Sequence, residues 1–369
     1  MLNLIRKIFI KITRKRYYKA RHVAAEEDAK ELCEKNKDAW VPLTKEEQSK
    51  FKNEIYTFTV FKNLSKNFEK YKDYYVSDPF YTSNLSPRLN PLHHKASGAG
   101  YAALFNDKNA FDSIFKGFLF PKTIIRRING QLMDADYKGI SKEKALSLLN
   151  KYDKVIFKET LDSSCGNGIF PTTKDDFEKQ LDALKSDFIV QEQIRQHSFL
   201  ANFNSSSVNV IRIFTLNWKG HVYVLDSRLR IGAPGSFCDH LGFGDVGPLE
   251  IKVDDDGSLI GKPFCEDEGK FVDDIFGVPA TGKIPNYDKM LEFVINGHTL
   301  YPQMGFIGWD MTVDEDGNPM CIEANTSSPF IFASQCVSDP LFAKKSVDGR
   351  PLLDEILETP IPYEKMRVL

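Results

Sequence analysis

A chain of 369 residues with 42% apolar and 27% charged residues has room for two or three structural units, and its composition is that of a soluble globular protein. A net charge of -2 gives no bulk affinity for nucleic acid. The six cysteines form no CxxC pair, which excludes a zinc ribbon, a thioredoxin-like site and a disulfide scaffold and suits a reducing cytosol.

The first 22 residues carry eight Lys or Arg and no acid. Leu4, Ile5, Ile8, Phe9 and Ile12 recur at a helical period among Arg6, Lys7, Lys11, Arg14 and Lys15. The pattern fits a helix on an anionic membrane surface or one packed on the body with a wet basic face; it is too short an apolar run to span a bilayer. Residues 20–75 read as charged helices, with Thr44 and Glu47 spaced as a capping box. DPFYTSNLSPRLNPLHH, with its three prolines, reads as a connector.

From Asn106 onward helices and strands alternate: NDKNAFDSIF as a helix, TIIRRING as a strand and turn, a helix starting near Ser141, KVIFKET as a buried strand, TTKDDFEKQLDALK as a helix and FIVQEQI as a strand. Beyond Val208 strands dominate, with one helix in PNYDKMLEFVINGHTLY and another near the C-terminal end. The alternation predicts an α/β or α+β domain.

Three constellations carry chemistry. In IGWDMTVDEDGNPMCIEAN, pairing Val313 with Met320 across the DEDGNP turn sets Asp310 opposite Glu323. Asn325 and Cys321 then share the face of Glu323, while Met320, Ile322 and Ala324 turn into a core. Facing carboxylates repel unless a cation lies between them, and an all-oxygen set suits Mg2+. A solvent-facing hairpin with incidental acids is the other reading, and the apolar flanks weigh against it. In KVIFKETLDSSCGNGIF, Lys158 ends a strand, and the small residues Ser163, Ser164, Gly166, Asn167 and Gly168 follow it. Such a loop can wrap backbone N–H groups around phosphate oxygens, or serve as a plain turn. Neither GxxxxGK[ST] nor GxGxxG is present. Arg212, Arg228 and Arg230 lie within β-branched or alternating runs, as wet-face charges or as a clamp on phosphate or carboxylate.

In this order the pieces resemble the ATP-grasp superfamily, and most closely the sugar-transfer associated ATP-grasp proteins related to α-L-glutamate ligase-like proteins, over residues 95–335. The resemblance implies an α+β ATP-grasp fold with two α+β subdomains holding ATP between them, preceded by a helical N-terminal region. It divides the chain into a basic N-terminal segment (1–22), a helical region and connector (23–95), a pre-grasp or linking region (96–150), a central lid subdomain (151–205), a metal-binding C-terminal subdomain (206–345) and a tail (346–369). It implies that Asp310, Glu323 and Asn325 hold Mg2+ against the ATP phosphates, that Lys158 and Lys108 approach the nucleotide, and that Ser163, Ser164, Gly166, Asn167 and Gly168 form the lid. Gln191, Glu192 and Ile194 would be the adenine-reading hinge, Arg212 would lie near the γ-phosphate and acyl group, and Arg228 and Arg230 would guide the acceptor or phosphate. Two departures stand out. The family's Asn and Gly-Gly pair after RLRIG is replaced by FCDHLGFGDVG, with Asp239 and His240 before Gly242 and Gly244, and Gln191 stands where relatives often carry an acid.

The activity so implied is an ATP- and Mg2+-dependent ligase that joins a carboxylate to an amine or related nucleophile through an acyl phosphate, in exopolysaccharide or cell-surface glycan biosynthesis. It would be cytoplasmic, with peripheral contact at the inner face of the membrane through residues 1–22. A kinase acting on a sugar or small molecule would use the same residues, and a non-catalytic nucleotide-binding interaction protein is a third reading. Cys165 has no evident histidine partner to make it a nucleophile, and His298 fits a packing role better than that of a base.

Overall fold

The computed structural model describes residues 2–90, 107–161, 168–240, 246–326 and 329–361, with side chains from Arg16 onward. The lid residues Ser163, Ser164, Gly166 and Asn167 lie outside the described residues, as does Cys165, and so do the side chains of the basic face through Lys15.

The chain opens with α1 (Leu2–Lys35), one continuous helix, so the boundary drawn at residue 22 falls inside it. Among the described residues no helix is long and apolar enough to cross a membrane. Helix α2 (Lys45–Phe51) starts at the Thr44–Glu47 capping box, in which each side chain takes the other's backbone N–H. Helix α3 (Ile55–Leu64) buries Phe58, Val60, Phe61 and Leu64 against Ala29 and Leu32 of α1 and Ala333 and Cys336 near the C-terminal end.

The stretch read as a connector is helical instead. Asp78–Phe80, a π-turn at Tyr81–Leu85 and Ser86–Leu89 follow one another without a break. Ser77 caps the start by accepting the Phe80 N–H, and Pro79 occupies the first turn, where its missing N–H costs nothing. The π-turn comes just before Pro87, which also lacks an N–H to give the helix. Tyr81, Leu85 and Leu89 are buried in a cluster with Phe306, so the aromatic run serves packing.

Two antiparallel sheets follow. The first contains β1 (Thr123–Ile128), β2 (Gln131–Asp134), β3 (Lys154–Glu159), β4 (Ile169–Thr173) and β5 (Phe188–Glu192), in the order β2-β1-β5-β3-β4. The boundary drawn at residue 150 therefore runs through a sheet, because β1 and β2 pair into the strands that follow it. Helix α4 (Lys142–Leu149), capped by Ser141, and α5 (Phe177–Ala183) cover one face, burying Ala145, Leu149, Phe177 and Leu181 on Val155, Phe157 and Val190.

The second sheet contains β6 (Val210–Trp218), β7 (His221–Ile231), β8 (Leu249–Val253), β9 (Leu259–Cys265), β10 (Lys270–Phe271), β11 (Phe306–Val313) and β12 (Pro319–Asn325), in the order β10-β9-β8-β7-β6-β11-β12. Helix α6 (Tyr287–Thr299) buries Tyr287, Met290, Val294, Gly297 and His298 on this sheet. Gly297 is required there: a Cβ would lie 2.9 Å from the Trp309 ring. His298 accepts from Thr215 Oγ1 at Nδ1 and donates from Nε2 to the Met304 carbonyl, while Trp309 Nε1 donates to the same Thr215 oxygen. Burial lowers the His298 pKa to about 4, so it is a neutral packing residue. Two short helices, α7 (Phe332–Val337) and α8 (Leu352–Glu358), close the far end. The whole is the α+β, two-sheet architecture with N-terminal helices that the resemblance implies.

Candidate functional site

Strand β11 is buried along its whole length between β6 and β12. Its register places four ionisable residues on adjacent strands directly opposite one another: Glu323, Asp310, Arg212 and Arg228. Facing residues on neighbouring strands point to the same side of a sheet. The four side chains therefore form one polar row across β12, β11, β6 and β7.

Asp310 and Glu323 face each other as the hairpin pattern predicts, but not by a uniform register. Val313 pairs with Pro319 rather than Met320, and a bulge between Met311 and Asp310 absorbs one extra residue, Ile322. The bulge changes the expected facing of Met320, Cys321 and Ile322, while Glu323, Ala324 and Asn325 lie as expected. Cys321 joins Ala324 in the core, whereas Met320 and Ile322 are only half-buried. The turn itself is held by Asp314, whose carboxylate accepts the backbone N–H of Asp316 and Asn318, with Gly317 at φ +87.

The row is buried and tightly paired. Arg212 meets Asp310 in a two-pronged contact, Nε to Oδ1 at 2.5 Å and Nη2 to Oδ2 at 3.0 Å, and its Nη1 donates to the Pro329 carbonyl at 2.6 Å. Asn325 Nδ2 donates to Asp310 Oδ2 at 3.2 Å. Arg228, only 2% exposed, reaches Glu250 Oε2 at 3.0 Å and donates to the Phe330 carbonyl at 3.3 Å. Arg230 pairs with Asp239 and stands 3.7 Å from Asp310. Burial alone would raise the Asp239 carboxyl, but Arg230, and after it His240, hold it well below the usual carboxylate range. These two acids, Asp239 and Glu250, escape sequence reasoning as partners of Arg230 and Arg228. Asp239 was visible only as an odd residue in the loop after RLRIG.

Across from the row, Lys108 Nζ makes an ion pair with Glu323 Oε1 at 3.1 Å. Lys158 ends β3 and is 9% exposed, and it has no hydrogen bond or ion pair among the described residues. Desolvation, helped by the charge of Lys108, pulls its pKa from 10.5 down to about 8. An ammonium buried beside a second cation calls for anionic company. The β3–β4 loop that would supply lid contacts ends at Gly168, φ +76, whose carbonyl accepts the Glu159 N–H.

Lys108, Lys158, Gln191 and Ile322 line a gap between the two sheets of only about 10 Å3, far below the few hundred Å3 typical of ligand sites. Here the sheets are closed on each other. Gln191 is tied to the Pro121 carbonyl at 3.0 Å, and Glu192 to Lys122 and Tyr152, both at 2.6 Å. Ile194 lies just past β5, half-buried, in the segment that crosses between the sheets. That crossing docks on the β11–β12 hairpin: the His197 N–H donates to the Val313 carbonyl, and Gln196 bridges to Asp314.

Two residues from the N-terminal half fix the acid-bearing strands. Asn90, fully buried, donates to the Phe306 and Thr326 carbonyls at 2.7 and 2.6 Å and accepts the Phe306 N–H at 2.9 Å. Asp78 accepts the N–H groups of Ile331 and Phe332, just beyond Asn325. Both fall in the stretch read as a connector, which is why neither stands out from sequence.

Residues 172–347 match the family described as sugar-transfer associated ATP-grasp. No curated protein matches the chain. Among solved structures, an L-amino acid ligase from Bacillus licheniformis is 16% identical, covering 86% of this chain and 63% of its own, with a TM-score of 0.41. The D-alanine-D-alanine ligase from Coxiella burnetii is 11% identical over 74% of this chain and 60% of its own, with a TM-score of 0.39. The ATP-grasp ligase PsnB, complexed with minimal precursor, is 11% identical over 65% of this chain, with a TM-score of 0.37. The chain spans 56% of the length of PsnB and 42% of that of an N5-carboxyaminoimidazole ribonucleotide synthetase from Thermotoga maritima.

Proposed function

We propose that this chain, which belongs to the ATP-grasp superfamily and within it to the sugar-transfer associated family, is an ATP- and Mg2+-dependent ligase that joins a carboxylate to an amine or related nucleophile. The observation that carries the reading is the polar row facing Lys158, a buried lysine whose ammonium has no partner among the described residues. Glu323, Asp310, Arg212 and Arg228 lie side by side on one sheet, and Lys108 and Lys158 approach from the other side.

The donor set fits magnesium. Asp310, Glu323 and Asn325 offer only oxygen donors of the hard kind the ion prefers, and they are adjacent. In this arrangement the two carboxylates are neutralised by Arg212 and Lys108, so Lys108 must leave Glu323 as the sheets part for nucleotide. Bound there, Mg2+ would neutralise phosphate charge and hold the phosphates in line.

The remaining chemistry belongs to the chain's own groups. Lys158 sets an ammonium against the phosphates, and Lys108, freed from Glu323, adds a second. A substrate carboxylate oxygen attacks the γ-phosphorus, the bond to the ADP oxygen breaks, and an acyl phosphate forms. The amine nitrogen then attacks the acyl carbon, the C–O bond to phosphate breaks, and the amine proton leaves to solvent. Arg212, clamped by Asp310 and the Pro329 carbonyl, keeps a fixed positive charge beside that centre. Arg228 and Arg230 each keep an Nε without a hydrogen-bond partner among the described residues, as donors for a developing oxyanion. Lid residues 163–168 would exclude water from the acyl phosphate. A role in surface-glycan assembly, with the basic start of α1 resting on an anionic membrane, is consistent with the family description and with the eight Lys or Arg among the first 22 residues.

The test is incubation with Mg2+, ATP, pooled uronic and amino acids and pooled amines, followed by mass spectrometry. ADP together with a dehydrated conjugate is expected. A phosphorylated product that forms and survives without any amine would replace the ligase with a kinase.

A further inference from the structure

A second cleft lies away from the nucleotide side. It has a volume of about 740 Å3, within the range of small-molecule sites, and α1 forms much of one wall. That wall comes from residues outside the family match at 172–347.

The cleft adjoins the polar row. On β8 the residue opposite Arg228 is Lys252, while Glu250, opposite Arg230, reaches Arg228 as an ion pair at 3.0 Å. Glu266, just beyond β9, lies within electrostatic reach of Glu250, Arg228 and Asp78. Glu266 and Asp78 both line the cleft. Phe330 joins the two regions directly. Its carbonyl accepts from Arg228, while its ring, in a residue 55% exposed and held at φ +52, lines the cleft. A bulky residue in the left-handed region is strained, and here neighbouring bonds hold it: Arg212 on the Pro329 carbonyl, and Asp78 on the N–H groups of Ile331 and Phe332.

Charge selects the occupant. Glu31 is matched by Lys35 one turn along α1, at 2.8 Å. Asp28, Asp78, Glu266 and Asp267 then outnumber Arg21 among the ionisable lining residues; burial raises the carboxyls of Asp78 and Glu266, the latter to about 7, so a bound cation is what would keep those two ionised. Such a lining repels a carboxylate and attracts an ammonium, and an exposed Phe ring adds a face for a cation. From Asp310 on β11 to β8 is three strand spacings, roughly 14 Å, so an occupant that reaches the row from the cleft must be extended.

We propose that this cleft binds the acceptor, an extended molecule anchored by a cationic group near Asp78 and Glu266 beside Arg228, with its nucleophilic nitrogen reaching along the row toward Arg212. The assignment of acceptor rests on the ligase reading above; the cleft's preference for cations does not. The carboxylate component is thereby assigned to the other end of the row, beneath Arg212 and Lys158.

The experiment uses the full chain with MgADP and a scaffold-matched fragment library in which each scaffold appears as a primary amine, its N-acetyl derivative and a carboxylate. Binding is read by ligand-observed NMR. The amine of each bound scaffold should bind about tenfold more tightly than its acetylated partner. Asp28→Asn and Glu266→Gln, both at exposed positions, should each weaken amine binding several-fold and leave MgATP affinity unchanged. Equal or better binding of the neutral or anionic members, no binding at all, or amine binding indifferent to both substitutions would overturn the proposal. Amines that respond to both substitutions in a protein that fails to bind MgATP would support the cleft and remove the ligase. ATP turnover into a conjugate with amines indifferent to both substitutions would do the opposite.

Discussion

Replacing Lys158 with Met should make the folded protein more stable and remove nucleotide binding. Lys158 is 9% exposed at the end of β3, and burial with the nearby Lys108 lowers its pKa from 10.5 to about 8. A lysine whose folded pKa lies below its unfolded value destabilises the fold wherever the unfolded chain holds the proton more tightly. Below pH 8 the full penalty applies, and it fades as pH rises toward 10.5. The fall from 10.5 to about 8 corresponds to roughly 3 kcal/mol at pH 7, and to about 1.4 kcal/mol at pH 9.5. Methionine keeps the apolar length of the side chain without the charge. For a 369-residue cooperative unit the gain at pH 7 is a rise in Tm of about 4 °C. Differential scanning calorimetry of wild type and Lys158→Met at both pH values measures it, and isothermal titration with MgATP measures the loss of binding. The same titration should show wild-type affinity falling above about pH 8 as the ammonium deprotonates. A variant no more stable than wild type at pH 7, or one that keeps its MgATP affinity, would refute the reasoning.

Asp310→Asn and Glu323→Gln should each lose most turnover while keeping a native far-UV circular dichroism spectrum; near-normal ADP release from either would remove that carboxylate from the site. Asn90→Ala deletes three buried hydrogen bonds to the ends of β11 and β12, and should cost about 3 kcal/mol in urea unfolding; a loss below about 1 kcal/mol would show that it does not hold those strands. His298 is neutral in the fold, with its pKa lowered from 6.5 to about 4 by burial. Its contribution is therefore intact above pH 6.5 and is lost as pH falls toward 4, by roughly 3 kcal/mol in the limit. His298→Phe should flatten that part of the stability–pH curve, and an unchanged acid limb would contradict the assignment.

The facing of Asp310 and Glu323 was legible only through a register one residue off at the turn, an error that the bulge at Ile322 offsets. The bulge at Ile322 was not, since Cys321 and Ile322 are both apolar and alternation cannot tell which of them is the extra residue. Strands β4 and β9 carry Pro171, and Gly261 and Pro263, which break the pattern that marks a strand. The helix over 78–89 was hidden by the same kind of punctuation, although Pro79 occupies a helix start and Pro87 follows a π-turn. Arg212 and Arg228 stood out as charges in apolar runs. Their partners Asp310 and Glu250 are brought to them only by sheet order, and the connection from Asp78 to residues 331–332 spans more than two hundred positions.

The most direct test of the acyl-phosphate account follows oxygen. With MgATP, an amine acceptor and a turned-over substrate labelled with 18O at both carboxylate oxygens, attack by the carboxylate on the γ-phosphorus should deliver one 18O atom to each released phosphate. Phosphate without label, while ADP and product still form, would contradict it.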